Sequence, residues 1–155
     1  MEIRFAKAED VPGIIKLLKQ AGKIHHAGRP DLFRNNAQKY GPSQVLEKLG
    51  KVDSPIFVAV EAGNVLGCGF CKLEIYRQHT LINDSTTLHI DDLCIPEQCH
   101  DMQIGTAIYN EILRYAKYRG CYNVTVNVWS CNESAIKFYE SLGLKPRMVG
   151  MEAIL

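Results

Sequence analysis

The sequence predicts an α/β fold: a mixed β-sheet with helices on both faces, in the order β-α-α-β-β-β-α-β-α-β. Three observations point there. Leu88–Ile95, the helical pattern from Ile104 to Arg119 and the alternating run Tyr122–Trp129 form a strand–helix–strand unit, expected to be a right-handed parallel crossover. Pro55–Glu61 and Val65–Tyr76 flank the turn Ala62-Gly63-Asn64 and read as an antiparallel hairpin. Helical apolar faces recur before, between and after these strands.

In chain order, Ile3–Ala6 is a short first strand. Asp10 is a plausible N-cap for a helix carrying Val11, Ile14, Ile15 and Leu18 on one face, and Gly22 is its expected stop. Lys23–Pro42 is a polar, mixed stretch, expected to be loop with short helical pieces and to border a binding site. Ser43 caps a second helix, to about Leu49. Gly67 and Gly69 mark a bulge or a close backbone approach within the returning hairpin strand. Pro96 ends the Leu88–Ile95 strand, because proline cannot donate to a ladder. After the loop Glu97–Gln103, the central helix places Ile104, Ala107, Ile108, Ile112, Tyr115 and Ala116 on one side and stops at Gly120. Asn132–Leu142 is the last helix, and Met148–Ile154 a closing strand.

At 155 residues the chain is expected to be one domain, 1–155. Its formal net charge of +1 gives no electrostatic case for nucleic acid. No apolar run approaches a membrane span. The opening MEIRFAKAED is too charged for a signal peptide, so the expectation is a cytoplasmic protein with reduced thiols. Six cysteines include Cys68 and Cys71, but residues three apart on a strand point to opposite faces. Buried structural cysteines are therefore expected, and no metal site.

The loop leading into Ile104 is the chief functional signal. The first amides of a helix lack internal acceptors and the helix dipole favours negative charge there, which makes an anion site.

Two blocks, IDDLCIPEQCHDMQIGTAIYNEIL and VTVNVWSCNESAIKFYESLGLKP, resemble the GNAT family of N-acetyltransferases, and the resemblance covers nearly the whole chain. Its more specific part is the spacing Asn132-x-x-Ala135-x-x-Phe138-Tyr139-Glu140-x-x-Gly143. The resemblance implies the GNAT acyltransferase fold, acetyl-CoA as cosubstrate, and a small-molecule or protein amine as acceptor. It implies direct transfer in a ternary complex, with a homodimer possible. The family's diphosphate loop usually reads Gln/Arg-x-x-Gly-x-Gly/Ala, whereas here it reads His100-Asp101-Met102-Gln103-Ile104-Gly105. The expected CoA contacts are those six residues with Thr106, the strand Leu93-Cys94-Ile95, and Asn132, Ala135 and Tyr139. Asn132 also suits a helix N-cap.

Tyr139 matches the family's general acid; a phenol stays protonated at neutral pH and can donate to a leaving thiolate. Asp91 and Asp92 are the leading candidates for the base. Strand alternation sends them to opposite faces unless a bulge intervenes. His25, His26 and Glu74 are further candidates for the base or the acceptor site, and a water relay can replace them all. Cys94 or Cys131 as a covalent carrier is the weaker route, because no histidine lies at a telling spacing. The loop's departures from the pattern favour one rival, a non-catalytic acyl-CoA-binding or interaction module on the same fold.

Overall fold

The structure is a computed structural model that describes residues 1–155, apart from the side chains of residues 100–102. Five strands form one mixed sheet in the order β1-β2-β3-β4-β5: β1 (Glu2–Phe5), β2 (Ile56–Glu61), β3 (Asn64–Tyr76), β4 (Ser85–Cys94) and β5 (Asn123–Val126). The helices are α1 (Val11–Gly28), α2 (Pro42–Lys48), α3 (Ile104–Tyr118) and α4 (Glu133–Ser141). The first four strands pair antiparallel, and β4 and β5 pair parallel across α3, as the crossover pattern requires.

Each face of the sheet carries its own core. Ile14, Leu17 and Leu18 of α1 and Val45 of α2 pack on Val58, Cys68, Phe70 and Cys94. Ile104, Ile108 and Ile112 of α3 pack on Phe57, Ala59, Leu88 and Ile90 on the other face. Gly67 and Gly69 allow α3 to sit this close. A Cβ at Gly67 would lie 2.7 Å from Ile95 Cδ1, and one at Gly69 would lie 3.1 Å from Ile108 Cγ2. Cys68 and Cys71 fall into the two different cores, as expected of residues three apart on a strand.

Several boundaries differ from the sequence reading. Gly22 does not stop α1, which continues to Gly28. A Cβ there would lie 2.0 Å from the carbonyl oxygen of Ala37, so Gly22 is a seat for the following segment. Asp10 holds the expected N-cap position of α1, but its side chain makes no capping bond to that helix. Its buried carboxylate takes a two-pronged bond from Arg4 at 2.7 and 3.0 Å and the Lys7 amide at 2.7 Å. Burial alone would raise the Asp10 pKa, but these donors outweigh it and hold the carboxyl below its usual range. Gly41, not Ser43, caps α2. The expected strand Met148–Ile154 is absent: residues 145–155 pair with none of the five strands. Among the described residues, no helix is long and apolar enough to cross a membrane.

Ile108 is fully buried between α3 and the sheet. Ile108→Ala is expected to cost about 2–5 kcal/mol, read as a lower midpoint in urea unfolding at unchanged slope.

Candidate active site

The site is built around a β-bulge in β4. Phe70 pairs with Asp92 and Cys71 with Ile90, so Asp91 is an extra residue without a partner on β3. The consequence is a change of side-chain parity. Leu88 and Ile90 face the α3 core, whereas Asp92 sits opposite Phe70 and Cys94 lies in the α1 core. Regular alternation would have aimed Asp92 into the apolar packing beneath α3. The bulge instead brings both carboxylates to one ammonium. Lys39 Nζ lies 2.9 Å from Asp91 Oδ1 and 3.0 Å from Asp92 Oδ2.

Lys39 and its neighbour Tyr40 belong to residues 29–41, the irregular segment that rests on Gly22. The Tyr40 hydroxyl donates to Asp91 Oδ2 at 2.6 Å, and its ring lies 5.4 Å from that of Phe70. Burial and the Asp91 carboxylate push the Tyr40 phenol up to about 12, so it remains a donor.

The two aspartates titrate apart. Burial would raise Asp91, but the Tyr40 hydroxyl and Lys39 overcome it and its pKa falls. Asp92 is more deeply buried, and the loss of solvent pushes its pKa up against the pull of Lys39. Asp92 Oδ2 has no hydrogen-bond partner among the described residues, although the Lys39 ammonium stands at ion-pair distance. Neighbouring carboxylates with separated pKa values mark one as the better proton acceptor.

Beyond Ile90 the sheet opens. β5 pairs only with Thr87–Ile90, leaving Asp91–Cys94 with no strand on that side. Tyr139 of α4 is buried at this opening, within electrostatic reach of Asp92 and Cys94. Burial first, then those neighbours, raise the Tyr139 pKa well above the ordinary phenol value. Phe138 holds α4 against the start of α3, where a Cβ at Gly105 would meet its ring at 3.0 Å. The N-terminus of α3 and Tyr139 are thereby fixed side by side.

Gln103 precedes α3 with φ +55°, in the left-handed region where glycine is at ease. Its backbone therefore takes a glycine-like path despite the side chain. Ile104 and Gly105 are buried, Thr106 is half-buried, and Gly105 and Thr106 have no carbonyl one turn earlier in the helix. The expected contacts His100, Asp101 and Met102 have side chains outside the described residues. Asn132 caps α4, its Oδ1 accepting from the Ala135 amide at 3.2 Å and the Ser134 hydroxyl at 3.1 Å.

The remaining candidates divide. His25 stacks on Phe33 with ring centroids 5.0 Å apart, on the side of the site that holds Asp92. It lines a cleft of about 410 Å³ with Phe33, Trp129, Cys131 and Asn132. His26 turns away, with Nδ1 2.7 Å from the Phe33 carbonyl oxygen. Glu74 pairs with Thr87, four residues along β3 from Phe70 and roughly 13 Å from the aspartates by strand rise. Lys39, Tyr40, Phe33 and Trp129 were missed by sequence reasoning. The polar stretch was singled out, but nothing in its pattern selects Lys39. Among the described residues, no group of three or more His, Cys, Asp or Glu side chains could hold a metal ion.

This arrangement, a splayed sheet with a helix N-terminus and a buried tyrosine at the opening, defines an acyltransferase-type fold. The sequence matches the profile of the Acetyltransferase (GNAT) family over residues 23–144, and the chain belongs to that family. Two variant structures of the BH1408 protein from Bacillus halodurans are 27% and 28% identical, each with a TM-score of 0.95 over the whole of this chain and 99% and 100% of theirs. Glucosamine-6-phosphate N-acetyltransferase from Arabidopsis thaliana shares the fold at TM-score 0.72, with 21% identity over 99% of this chain and 97% of its own. An aminoglycoside N-acetyltransferase in complex with CoA shares it at TM-score 0.73 and 13% identity, over 99% of this chain and all of its own. A curated relative, hopanoid C-3 methylase from Methylococcus capsulatus, is 24% identical over 97% of this chain. The chain corresponds to 31% of that protein's length.

Two stability measurements test this geometry. A carboxyl whose folded pKa is raised costs stability while it is ionised. Asp92→Asn is therefore expected to be more stable than the parent at neutral pH. The difference should vanish below the unfolded aspartate pKa of about 3.9, where both side chains are neutral. Urea titrations at the two pH values check the sign. Gln103→Gly should gain about 1 kcal/mol by relieving the left-handed strain, again read by urea unfolding.

Proposed function

We propose that residues 1–155 act as one N-acetyltransferase domain, moving an acetyl group from acetyl-CoA to a primary amine by direct transfer in a ternary complex. The observation that carries the reading is the buried Tyr139 phenol beside Asp92 and Cys94, where β4 is free of β5. The names of two structural neighbours, acting on glucosamine-6-phosphate and on aminoglycosides, support an amine as acceptor.

The residues present suit CoA. The first amides of α3 receive the diphosphate, and Gly105 lets α4 close beside it. The edge of β4 at Leu93 and Cys94, which β5 does not cover, offers backbone groups to the pantetheine arm and the acetyl carbonyl, and Asn132 and Ala135 flank it from the start of α4. Bound acetyl-CoA supplies an activated acyl group whose carbonyl carbon accepts the amine as its C–S bond breaks. The acceptor enters by the cleft of His25, Phe33 and Trp129.

A primary ammonium of pKa about 10.4 must first lose a proton. Asp92 takes it, directly or through water, because its raised pKa makes it a better acceptor than Asp91. Lys39 and Tyr40 keep Asp91 charged and so hold the pair in place. Tyr139 gives its phenolic proton to the departing sulfur, and the second proton that the nitrogen sheds as the amide forms passes to solvent and restores the phenol. Its raised pKa keeps it protonated at every working pH.

The second reading is a non-catalytic acyl-CoA-binding module. The side chains at His100–Gln103, unlike the family's usual loop, favour it. Calorimetry with acetyl-CoA and a thiol-release assay over a panel of amines separate the two. Binding with no CoA release would support the module, and no binding at millimolar ligand would sink both. Tyr139→Phe should lower kcat by about 10²–10⁴-fold while leaving the Kd for CoA unchanged. An unchanged kcat would remove Tyr139 as the acid.

A further inference from the structure

The cleft between the end of α1 and the turn after β5 has aromatic walls. Phe33 and Trp129 meet edge to face with ring centroids 5.2 Å apart, and the His25 ring stacks on Phe33 at 5.0 Å. Ile24 extends the apolar wall. The two sides of the cleft come together at Gly28, where a Cβ would lie 2.8 Å from Cys131 Sγ. Trp129 is 44% exposed, so its ring has surface to offer a flat apolar ligand.

The charges around the cleft narrow the choice further. Among the described residues that line it none is Lys or Arg, and Glu133 adds a carboxylate. Arg29, one residue past α1, is held by Asp31 and Glu152. The start of α4 is already capped by Asn132, whose Oδ1 accepts from the Ala135 amide and the Ser134 hydroxyl. A phosphate or carboxylate on the ligand would lose water here without gaining a cation. Sugar hydroxyls fare little better, because Asn132 and Ser134 are engaged with each other. A single ammonium is favoured instead. His25 lies on the side of the site that holds Asp92, where two carboxylates, Asp91 and Asp92, face the one ammonium of Lys39.

Building on the acetyl-transfer reading above, we propose that the acceptor is an arylalkyl primary amine that carries no phosphate or carboxylate. Its ring lies against Phe33 and Trp129, and its nitrogen points towards Asp92. The cleft volume of about 410 Å³ is at the lower end of the range for small-molecule sites, about 300–1,000 Å³, and suits an amine of one or two rings. Asp92 takes one proton from the ammonium. The nitrogen then bonds to the thioester carbonyl carbon as the C–S bond breaks. The sulfur takes the Tyr139 proton, and the second proton shed by the nitrogen passes to solvent and restores the phenol. The products are the N-acetyl arylalkylamine and CoA.

Trp129 is the single tryptophan of the chain, so its fluorescence reports occupancy of the cleft without turnover. Titrating the unaltered protein with phenethylamine is expected to shift and quench that emission to saturation. Glucosamine-6-phosphate and spermidine at equal concentration should leave it in place. In a thiol-release assay at saturating acetyl-CoA, kcat/KM for phenethylamine is expected to exceed that for either other amine by at least about tenfold. Phe33→Ala should raise KM for phenethylamine by about 10–100-fold with the Kd for acetyl-CoA unchanged. Faster turnover of glucosamine-6-phosphate or spermidine would overturn the acceptor class and leave the transfer reading intact. Emission unmoved by phenethylamine at millimolar concentration would overturn it too, as would a Phe33→Ala KM equal to that of the parent. Saturable quenching with no CoA release from any of the three amines would sink the transfer reading and uphold the ligand class of the cleft.

Discussion

The single residue inserted into β4 at Asp91 is the constraint on which the rest of the site depends. Strand parity is unforgiving: with period two, every side chain after an insertion changes face. Before the bulge, β4 supplies Leu88 and Ile90 to the packing under α3. After it, the strand supplies Asp92 and Cys94 to the α1 side. One extra residue thus turns a core strand into an edge that carries two carboxylates. It does so near the point where β5 ceases to pair, so backbone and carboxylates become available together.

The cost of this arrangement is visible in the charges. Asp92 is buried with its Oδ2 short of a hydrogen bond, and its ionisation opposes folding. Lys39 offsets part of that cost, and Tyr40 orders Asp91 beside it. The segment carrying both can reach the sheet because Gly22 lets the Ala37 carbonyl rest on α1. A helix that stopped at Gly22 would remove that seat. The length of α1 and the electrostatics of β4 are therefore linked through one close backbone contact.

Much of the fold was legible because it rests on local periodicity. The apolar faces of α1 and α3, the hairpin turn at Ala62 and Gly63 and the alternation around Val124 and Val126 are each written within a few residues. The strand, loop and helix start around Ile104 were legible for a similar reason, since all three are written in one continuous run of sequence. The boundary errors share another cause. Gly22 and Asp10 carry strong local signals for stopping and capping, but tertiary partners, Ala37 for one and Arg4 for the other, took them up.

The sequence by itself determined the order of elements, the parallel crossover, membership of the GNAT family and the candidacy of Tyr139, Asp91 and Asp92, all of which depend on spacing along one chain. Only the tertiary structure decided that both aspartates meet Lys39, that His25 lies on the Asp92 side while Glu74 stays four residues away along β3, and that residues 148–154 join no strand. Those outcomes depend on register, on a bulge and on which strand edges remain open. They are properties of pairing between distant segments, and no periodicity within one segment encodes them.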